Sequence, residues 1–333
     1  MINAAVVGLG WWGKQIVNVV MGRSDRIDIV RGVEVDPDAV ADFAARKGLA
    51  LYADYQQALD EPGIDAVILT TPHSTHEELV LRAAAAGKQV FCEKPLALTA
   101  ASAKRMVTAC AEAGLVLGVG HERRFEPAME ELARMVAAGD LGTILLVEAN
   151  YSHDKFAALA SDNWRGNPKD SPAAGWTGMG IHLTDYLISI LGPIEEIRAV
   201  SAGRVLDLPS GDVVTTQLTF RDGTMGTINV VSATPFYGRI VVFGDKAWVE
   251  IVETAHPEDP ADTLMTIGWK GGERETRVYR PLDTVTLNLH AWADAVEGRA
   301  AYRITDEQRI ANIAVLEALA RSTGTGRAEK VDN

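Results

Sequence analysis

In the first third of the chain, short continuous runs of aliphatic residues alternate with longer stretches whose apolar residues recur at helical spacing. The runs "INAAVVGLG", "IDIVRGVEVD", "AVILTTP", "KQVFCEKP" and "LVLGVG" are apolar at consecutive positions, the pattern of strands buried on both faces. Between them, "WWGKQIVNVVM", "STHEELVLRAAAAG" and "TAASAKRMVTACAEAG" read as helices, the last two closed by Gly87 and Gly114. Strands and helices in strict alternation with short connections predict an α/β domain with a doubly wound, mostly parallel sheet over residues 1–121.

From about Glu122 the rhythm changes. "PAMEELARMVAAGDLG" is a helix pattern, "TILLVEANYSH" is strand-like, and residues 157–175 are irregular. Period-two runs follow in "VVTTQLTF", "TMGTINVVSAT" and "GRIVVFGDKAWVEI", with Asp222-Gly223 marking a hairpin between the first two. Two helix patterns, "VTLNLHAWADAVEG" and "TDEQRIANIAVLEALARSTG", close the chain. The second places Ile310, Ile313, Ala314 and Leu316 on one face, and Thr305 with Gln308 suits a capping box. Residues 122–333 are therefore expected to form an α+β domain on a mainly antiparallel sheet. The polar set Thr215, Gln217 and Thr219 needs solvent or a partner on the sheet's other face.

Chemistry enters at the strand ends, where open α/β sheets bind ligands. Gly8, Gly10 and Gly13 have G-x-G-x-x-G spacing, preceded by a strand and followed by a helix that opens with Trp11 and Trp12. Backbone N–H groups there approach a pyrophosphate at a helix N-terminus, the Rossmann arrangement. Asp36 closes the second strand run 23 residues after Gly13. A carboxylate there binds the adenosine ribose hydroxyls and repels the extra phosphate of NADP, so NAD is expected over NADP. The competing reading makes "DPD" a polar loop that caps the next helix, with Asp38 as the cap. Thr71-Pro72-His73, Glu93-Lys94-Pro95 and Gly120-His121 all follow apolar strands. Lys94 there suits stabilisation of a developing alkoxide, while an ordinary Glu–Lys surface pair would look the same.

On "AAVVGLGWWG", "VEVDPD", "TTPHSTHEELVLRAAAAGKQVFCEKPLALT", "GHERRFEPAMEEL" and "GMGIHLTDYLISILG", the sequence resembles the Gfo/Idh/MocA oxidoreductases over nearly its whole length. The resemblance implies two domains and NAD- or NADP-dependent hydride transfer on a sugar, polyol or related hydroxyl compound. It places Thr71, Pro72, His73, His76, Glu93 and Lys94 at the cofactor. It makes Lys94 and His182 the catalytic pair, with His182 as proton acceptor. Relatives carry an aspartate four residues before that histidine; here Gly178 stands there.

Histidine suits the base role because its ordinary pKa of about 6.5 keeps the neutral form available, whereas lysine, near 10.4, stays charged and serves as a clamp on the substrate oxygen. His153, Asp154, Trp164, Arg165, Lys169 and Asp185 are the remaining candidates for substrate contact; Asp185 would share the histidine's helix face or support it from within. Arg123 and Arg124 suit substrate binding or salt bridges alike, and His290 reads as a packed helix histidine.

Two readings compete with the sugar or polyol dehydrogenase. One is a cofactor-binding sensor without turnover. The other is a dehydrogenase of a non-sugar such as a cyclic dihydrodiol, which an apolar pocket lining would favour. The net charge of -13 disfavours nucleic acid and anionic membranes. Cys92 and Cys110 make neither a disulfide framework nor a metal site. The N-terminus has no signal-peptide pattern and no apolar run approaches membrane-spanning length, so a cytoplasmic protein is expected. The resemblance adds a homodimer or homotetramer formed through the second-domain sheet.

Overall fold

The computed structural model describes residues 1–158, 163–173, 175–209, 211–256, 259 and 261–332. Two compact units account for them: residues 1–97, 101–122 and 283–306 in the first, and 98–100, 123–282 and 307–333 in the second.

The first unit holds β1 (Ile2–Val7), α1 (Trp11–Val20), β2 (Ile27–Val33), α2 (Ala41–Lys47), β3 (Leu51–Tyr52), α3 (Tyr55–Asp60), β4 (Ala66–Leu69), α4 (His76–Ala85), β5 (Gln89–Cys92), α5 (Ala100–Glu112) and β6 (Leu117–Val119). Its six strands are all parallel, in the order β3-β2-β1-β4-β5-β6. Order reverses between β1 and β4, so the carboxyl ends of those strands flank the crevice where such sheets bind ligands. Ala4, Val6, Ile29, Ala66, Ile68 and Phe91 fill the core, consistent with strands that read as continuous apolar runs.

Residues 283–306, expected in the second domain, belong to the first unit. The reason is the edge strand β6. Helix α8 (Thr284–Val296) lays Leu289 and Trp292 into the first core. Trp292 Nε1 donates to the Val116 carbonyl at 3.1 Å, and Asn288 Nδ2 to Val119 at 2.9 Å. Tyr302 Oη also donates to Val119 at 3.1 Å. His290 sits on this helix with Nε2 2.8 Å from Ser24 Oγ, in a packing role.

The second unit holds α6 (Pro127–Ala137), β7 (Ile144–Ser152), α7 (Ile181–Leu191), β8 (Ile194–Ala202), β9 (Val213–Phe220), β10 (Met225–Val231), β11 (Tyr237–Gly244), β12 (Ala247–Glu253), β13 (Thr263–Trp269), β14 (Arg274–Tyr279), α9 (Asp306–Thr325) and β15 (Ala328–Lys330). The nine-stranded sheet runs β14-β13-β12-β11-β7-β10-β9-β8-β15 and is antiparallel except where β10 joins β7. Asp222-Gly223 makes the β9–β10 hairpin, with Gly223 at φ 92°. Helix α9 was expected to bury one face; instead Ala311 to Leu316 are all buried. A helix apolar on more than one side is stable only when it is enclosed on those sides, which this one is. Gln308, expected in a capping box, accepts from Arg124 Nη1 at 2.7 Å.

No helix among the described residues is long and apolar enough to cross a membrane.

Candidate active site

The glycine loop follows β1. Gly8 has φ 88°, a left-handed conformation that favours glycine, and a Cβ there would sit 2.9 Å from Thr71 Cγ2. A Cβ at Gly13 would collide with the Gly8 carbonyl oxygen. Gly10 differs: its Cβ would meet nothing within 4 Å, so the space above the loop is open. Helix α1 begins there with no side-chain cap and no acidic residue in its first turn, so its dipole favours an anion at that end. Trp11 is half exposed at this end, while Trp12 packs against the core. The loop has the room and the donors that a dinucleotide pyrophosphate needs.

The acidic residue beside this loop is Glu34 rather than Asp36. Glu34 is the first residue after β2, and its carboxylate accepts from Leu9 N–H at 2.7 Å and Val35 N–H at 3.0 Å. Asp36 lies two residues further, exposed, and accepts from Ala39 N–H at 3.4 Å. Asp38, read as the cap of the next helix, makes no cap: the short turn that follows has Pro37 at its N-cap and no side-chain cap. Glu34 was missed because β2 ends at Val33, earlier than the apolar run suggests; its separation of 21 residues from Gly13 was the available signal.

At the next strand ends, Thr70 Oγ1 donates to the Gly8 carbonyl, and Thr71 Oγ1 lies 2.7 Å from Thr75 Oγ1. Thr71, Pro72 and His73 are half-buried at the carboxyl end of β4. His76 is fully buried, with Nδ1 2.9 Å from the Pro95 carbonyl oxygen and Nε2 3.1 Å from that of Thr71. His76, expected at the cofactor, here joins the loop after β4 to the loop after β5. A neutral imidazole donates to one of these carbonyls, so replacing His76 with alanine leaves that acceptor unsatisfied, at a cost of about 1–3 kcal/mol. Denaturant melts of wild type and His76→Ala, with and without NAD, check this: the variant should lose stability and show a smaller stabilisation by NAD.

Glu93 is buried, and a Cβ at Gly120 would overlap its carboxylate, so the strand-end glycine makes room for it. Between Phe91 and Ala97 every residue is buried except Lys94, which is half-buried just after β5. His121, after β6, is buried. Burial pushes the Cys92 thiol well up, so it stays protonated and offers no nucleophile. Cys110 is likewise buried and in no disulfide. Among the described residues no cluster of His, Cys, Asp and Glu could hold a metal.

In the second unit, "GWTGMGIH" does not begin as a plain α-helix. Trp176–Gly180 form a π-turn, and α7 continues from Ile181. Such widened turns recur at functional sites. Its glycines differ in kind. A Cβ at Gly175 would overlap Ser232 Oγ, and one at Gly180 would overlap the Trp176 indole. Gly178 differs: among the described residues, its Cβ would meet the Phe156 ring, with atoms at 3.4 and 3.8 Å. From Gly175 to Ile188 every residue is buried except Gly178. His182, four residues on, is 6% exposed, with its Nδ1 inside.

Phe156 belongs to a cluster of rings. It stacks on His153 at 6.1 Å with planes 17° apart, and His153 meets Tyr151 and His256 edge-on at 6.0 and 5.2 Å. Phe236 packs edge-on against Tyr151 and His256 at 5.8 and 5.6 Å. Lys155 Nζ lies 3.1 Å from His256 Nδ1. Of the expected substrate contacts, His153 is therefore part of this wall. Trp164 and Arg165 sit on a separate short turn, the guanidinium 4.3 Å from the indole. Asp154 and Lys169 are exposed.

Asp185 is corrected to a structural role. It is 1% exposed and takes a two-pronged contact from Arg124, with Nε to Oδ2 and Nη2 to Oδ1 both at 2.6 Å. Arg123 is structural too, buried between Glu126 at 3.1 Å and Glu253, with its guanidinium 4.4 Å from the centre of the Tyr151 ring. Burial pushes the Glu126 carboxyl up, and the Arg123 charge pulls against that.

Comparison with known proteins agrees with this arrangement. Residues 2–121 match the oxidoreductase family with an NAD-binding Rossmann fold, and residues 129–250 match the GFO/IDH/MocA C-terminal domain. The NAD-dependent scyllo-inositol 2-dehydrogenase of Bacillus subtilis is 29% identical over 99% of this chain and 96% of its own. Mouse trans-1,2-dihydrobenzene-1,2-diol dehydrogenase is 26% identical over 62% of this chain and 61% of its own. A solved structure from Desulfitobacterium hafniense, described as an NADPH-dependent oxidoreductase, superposes with a TM-score of 0.90 over 99% of this chain and 97% of that one, at 23% identity. The fold alone thus does not choose between the two nicotinamide cofactors. With an open phosphate loop in one unit, the histidine helix in the other and both family models matched, this chain belongs to the GFO/IDH/MocA family of oxidoreductases.

Proposed function

We propose that the protein is an NAD-dependent dehydrogenase that acts on a secondary hydroxyl of a sugar, polyol or related cyclic alcohol. The observation that carries this is the exposure pattern at the two polar residues of opposite chemistry. Lys94 is the one residue of its strand-end stretch that is not fully buried, and His182 follows Gly178, the one residue not fully buried between Gly175 and Ile188. Bound NAD supplies the hydride acceptor. The chain's own residues do the rest. Lys94, as an ammonium, orients the hydroxyl and stabilises the alkoxide that develops as the carbon gives up its hydride. His182 takes the hydroxyl proton at Nε2, since Nδ1 faces inward. The products are a ketone, NADH and a proton. The first test is nicotinamide reduction across polyols, aldoses, inositols and cyclic diols, with NAD and NADP separately. A sensor without turnover would bind NAD and reduce none of it with any of these alcohols.

Glu34 carries the choice of NAD. Its carboxylate, already facing the loop, has lone pairs left for the ribose hydroxyls and repels a ribose phosphate. Wild type should bind NADH more tightly than NADPH. Glu34→Ala should weaken NADH about tenfold, the loss of a charge-assisted bond, and narrow that gap. Asp36→Ala should leave it. Fluorescence titration of the three proteins with both nucleotides decides between the two carboxylates.

The partner we infer is a second copy of this chain on the open face of the nine-stranded sheet. Val200, Met225, Leu264 and Val278 stand exposed opposite the buried set, around the Arg239 contacts to Glu148 and Glu250 at 3.2 and 2.7 Å. Such an apolar surface with central paired charges suits self-association. Light scattering should give at least a dimer, and Met225→Glu should shift it toward the monomer; a monomeric wild type contradicts this.

A further inference from the structure

We propose that Thr70 is a positioning residue for the dinucleotide: together with Glu34 it holds the Gly8–Leu9 peptide in one orientation, so the glycine loop is in its binding conformation before the cofactor arrives. The proposal rests on the NAD-binding domain alone and is independent of the alcohol that is oxidised.

Three strand ends meet at this peptide. Sheet order puts β1 between β2 and β4, and Gly8, Glu34 and Thr70 are the first residues after those three strands. In a planar trans peptide the carbonyl and the following N–H point in opposite directions, so both ends can be held at once. On one side Thr70 Oγ1 donates to the Gly8 carbonyl. On the other, Leu9 N–H donates to the Glu34 carboxylate at 2.7 Å. The Thr70 hydroxyl also lies 3.0 Å from the Val7 carbonyl oxygen. That carbonyl already accepts from Thr70 N–H at 2.9 Å, so the single hydroxyl proton serves Gly8. Gly8 N–H in turn donates to the Val33 carbonyl at 2.8 Å.

The glycines explain why the hold comes from neighbouring strands. Gly8 sits at φ 88°, and a residue without a Cβ reaches other backbone conformations at little cost, so nothing intrinsic stops this peptide from rotating. A Cβ at Gly13 would lie 2.7 Å from Thr70 Oγ1 and would also overlap the Gly8 carbonyl oxygen. Glycine at 13 therefore leaves the gap in which hydroxyl and carbonyl meet. A loop that rotates when empty binds more weakly, by the fraction of time it spends in the competent form. One neutral hydrogen bond shifts such an equilibrium by about two- to tenfold.

The test is stopped-flow fluorescence of NADH binding to wild type, Thr70→Val and Thr70→Ser, with adenosine as a competing probe that lacks the pyrophosphate. Thr70→Val should weaken NADH by about two- to tenfold. The loss should appear as slower association with dissociation unchanged, since the occupied loop has the same conformation. Thr70→Ser, which keeps the hydroxyl, should restore association. Adenosine affinity should stay within a factor of about two in all three proteins, because the adenosine does not use the loop. A direct cofactor contact by Thr70 would instead speed dissociation, and a merely structural role would weaken adenosine and NADH in step. Either of those results, or NADH association in Thr70→Val equal to wild type, overturns the proposal. Should Thr70→Val not fold, Thr70→Ala removes the same hydroxyl without adding a methyl, and the same outcomes decide.

Discussion

Replacing His182 with alanine lowers turnover by about 10²–10⁴-fold, the usual contribution of a positioned acid–base group, while NAD affinity stays within a factor of about two. The split follows from where the parts lie. The glycine loop, Glu34 and the strand-end threonines all belong to the first unit, and His182 belongs to α7 in the second. A histidine serving only to pack that helix would behave differently: its loss would lower the melting temperature and leave activity per folded molecule nearly intact. Steady-state kinetics and a thermal melt on the same preparation separate the two. Lys94→Ala should also lose turnover, and Lys94→Arg should recover only part of it, because a planar guanidinium does not reproduce a compact ammonium.

The second large effect is on stability. Asp185 and Arg124 form a buried, two-pronged ion pair, with Gln308 holding a further guanidinium nitrogen at 2.7 Å. Removing one partner leaves the other charge buried, which costs about 3–5 kcal/mol. For a unit of this size that corresponds to a fall in melting temperature of roughly 6–20 °C. Asp185→Ala should therefore unfold early, and Arg124→Met combined with Asp185→Leu should recover much of the loss. Were Asp185 a substrate contact, Asp185→Ala would raise KM while its melt stayed unchanged.

Much of the architecture was legible because its cause is local. A parallel strand buried on both faces must be apolar at consecutive positions, and "AVVGLG", "AVIL" and "VFC" show that without reference to the rest of the chain. The phosphate loop was legible for the same reason, since Gly8 and Gly13 answer to clearances within their own turn and the next strand end. What failed was non-local. Helix α8 returns to the first unit because Trp292 and Asn288 satisfy the carbonyls of Val116, just before β6, and Val119, at its end, some 170 residues earlier in the chain. The ring wall joins Tyr151, His153 and Phe156 to His256 through the pairing of β7, β11 and β12, and nothing near His256 in sequence announces it. Glu34 and Asp36 differ only in where a strand stops, a boundary that periodicity leaves open by a residue or two. Gly178 was visible as a departure from the family pattern; that a Cβ there would meet Phe156 needed the fold.

The central claim is that this chain moves a hydride between NAD and a cyclic alcohol. The most direct measurement is NADH formation by the purified protein with NAD and the panel of polyols, aldoses, inositols and cyclic diols, run beside His182→Ala and Lys94→Ala. The account predicts NADH formation with one class of cyclic alcohol, and its loss in both variants with NAD binding retained. Tight NAD binding without NADH formation from any alcohol, and without NADH consumption by the matching ketones, contradicts it.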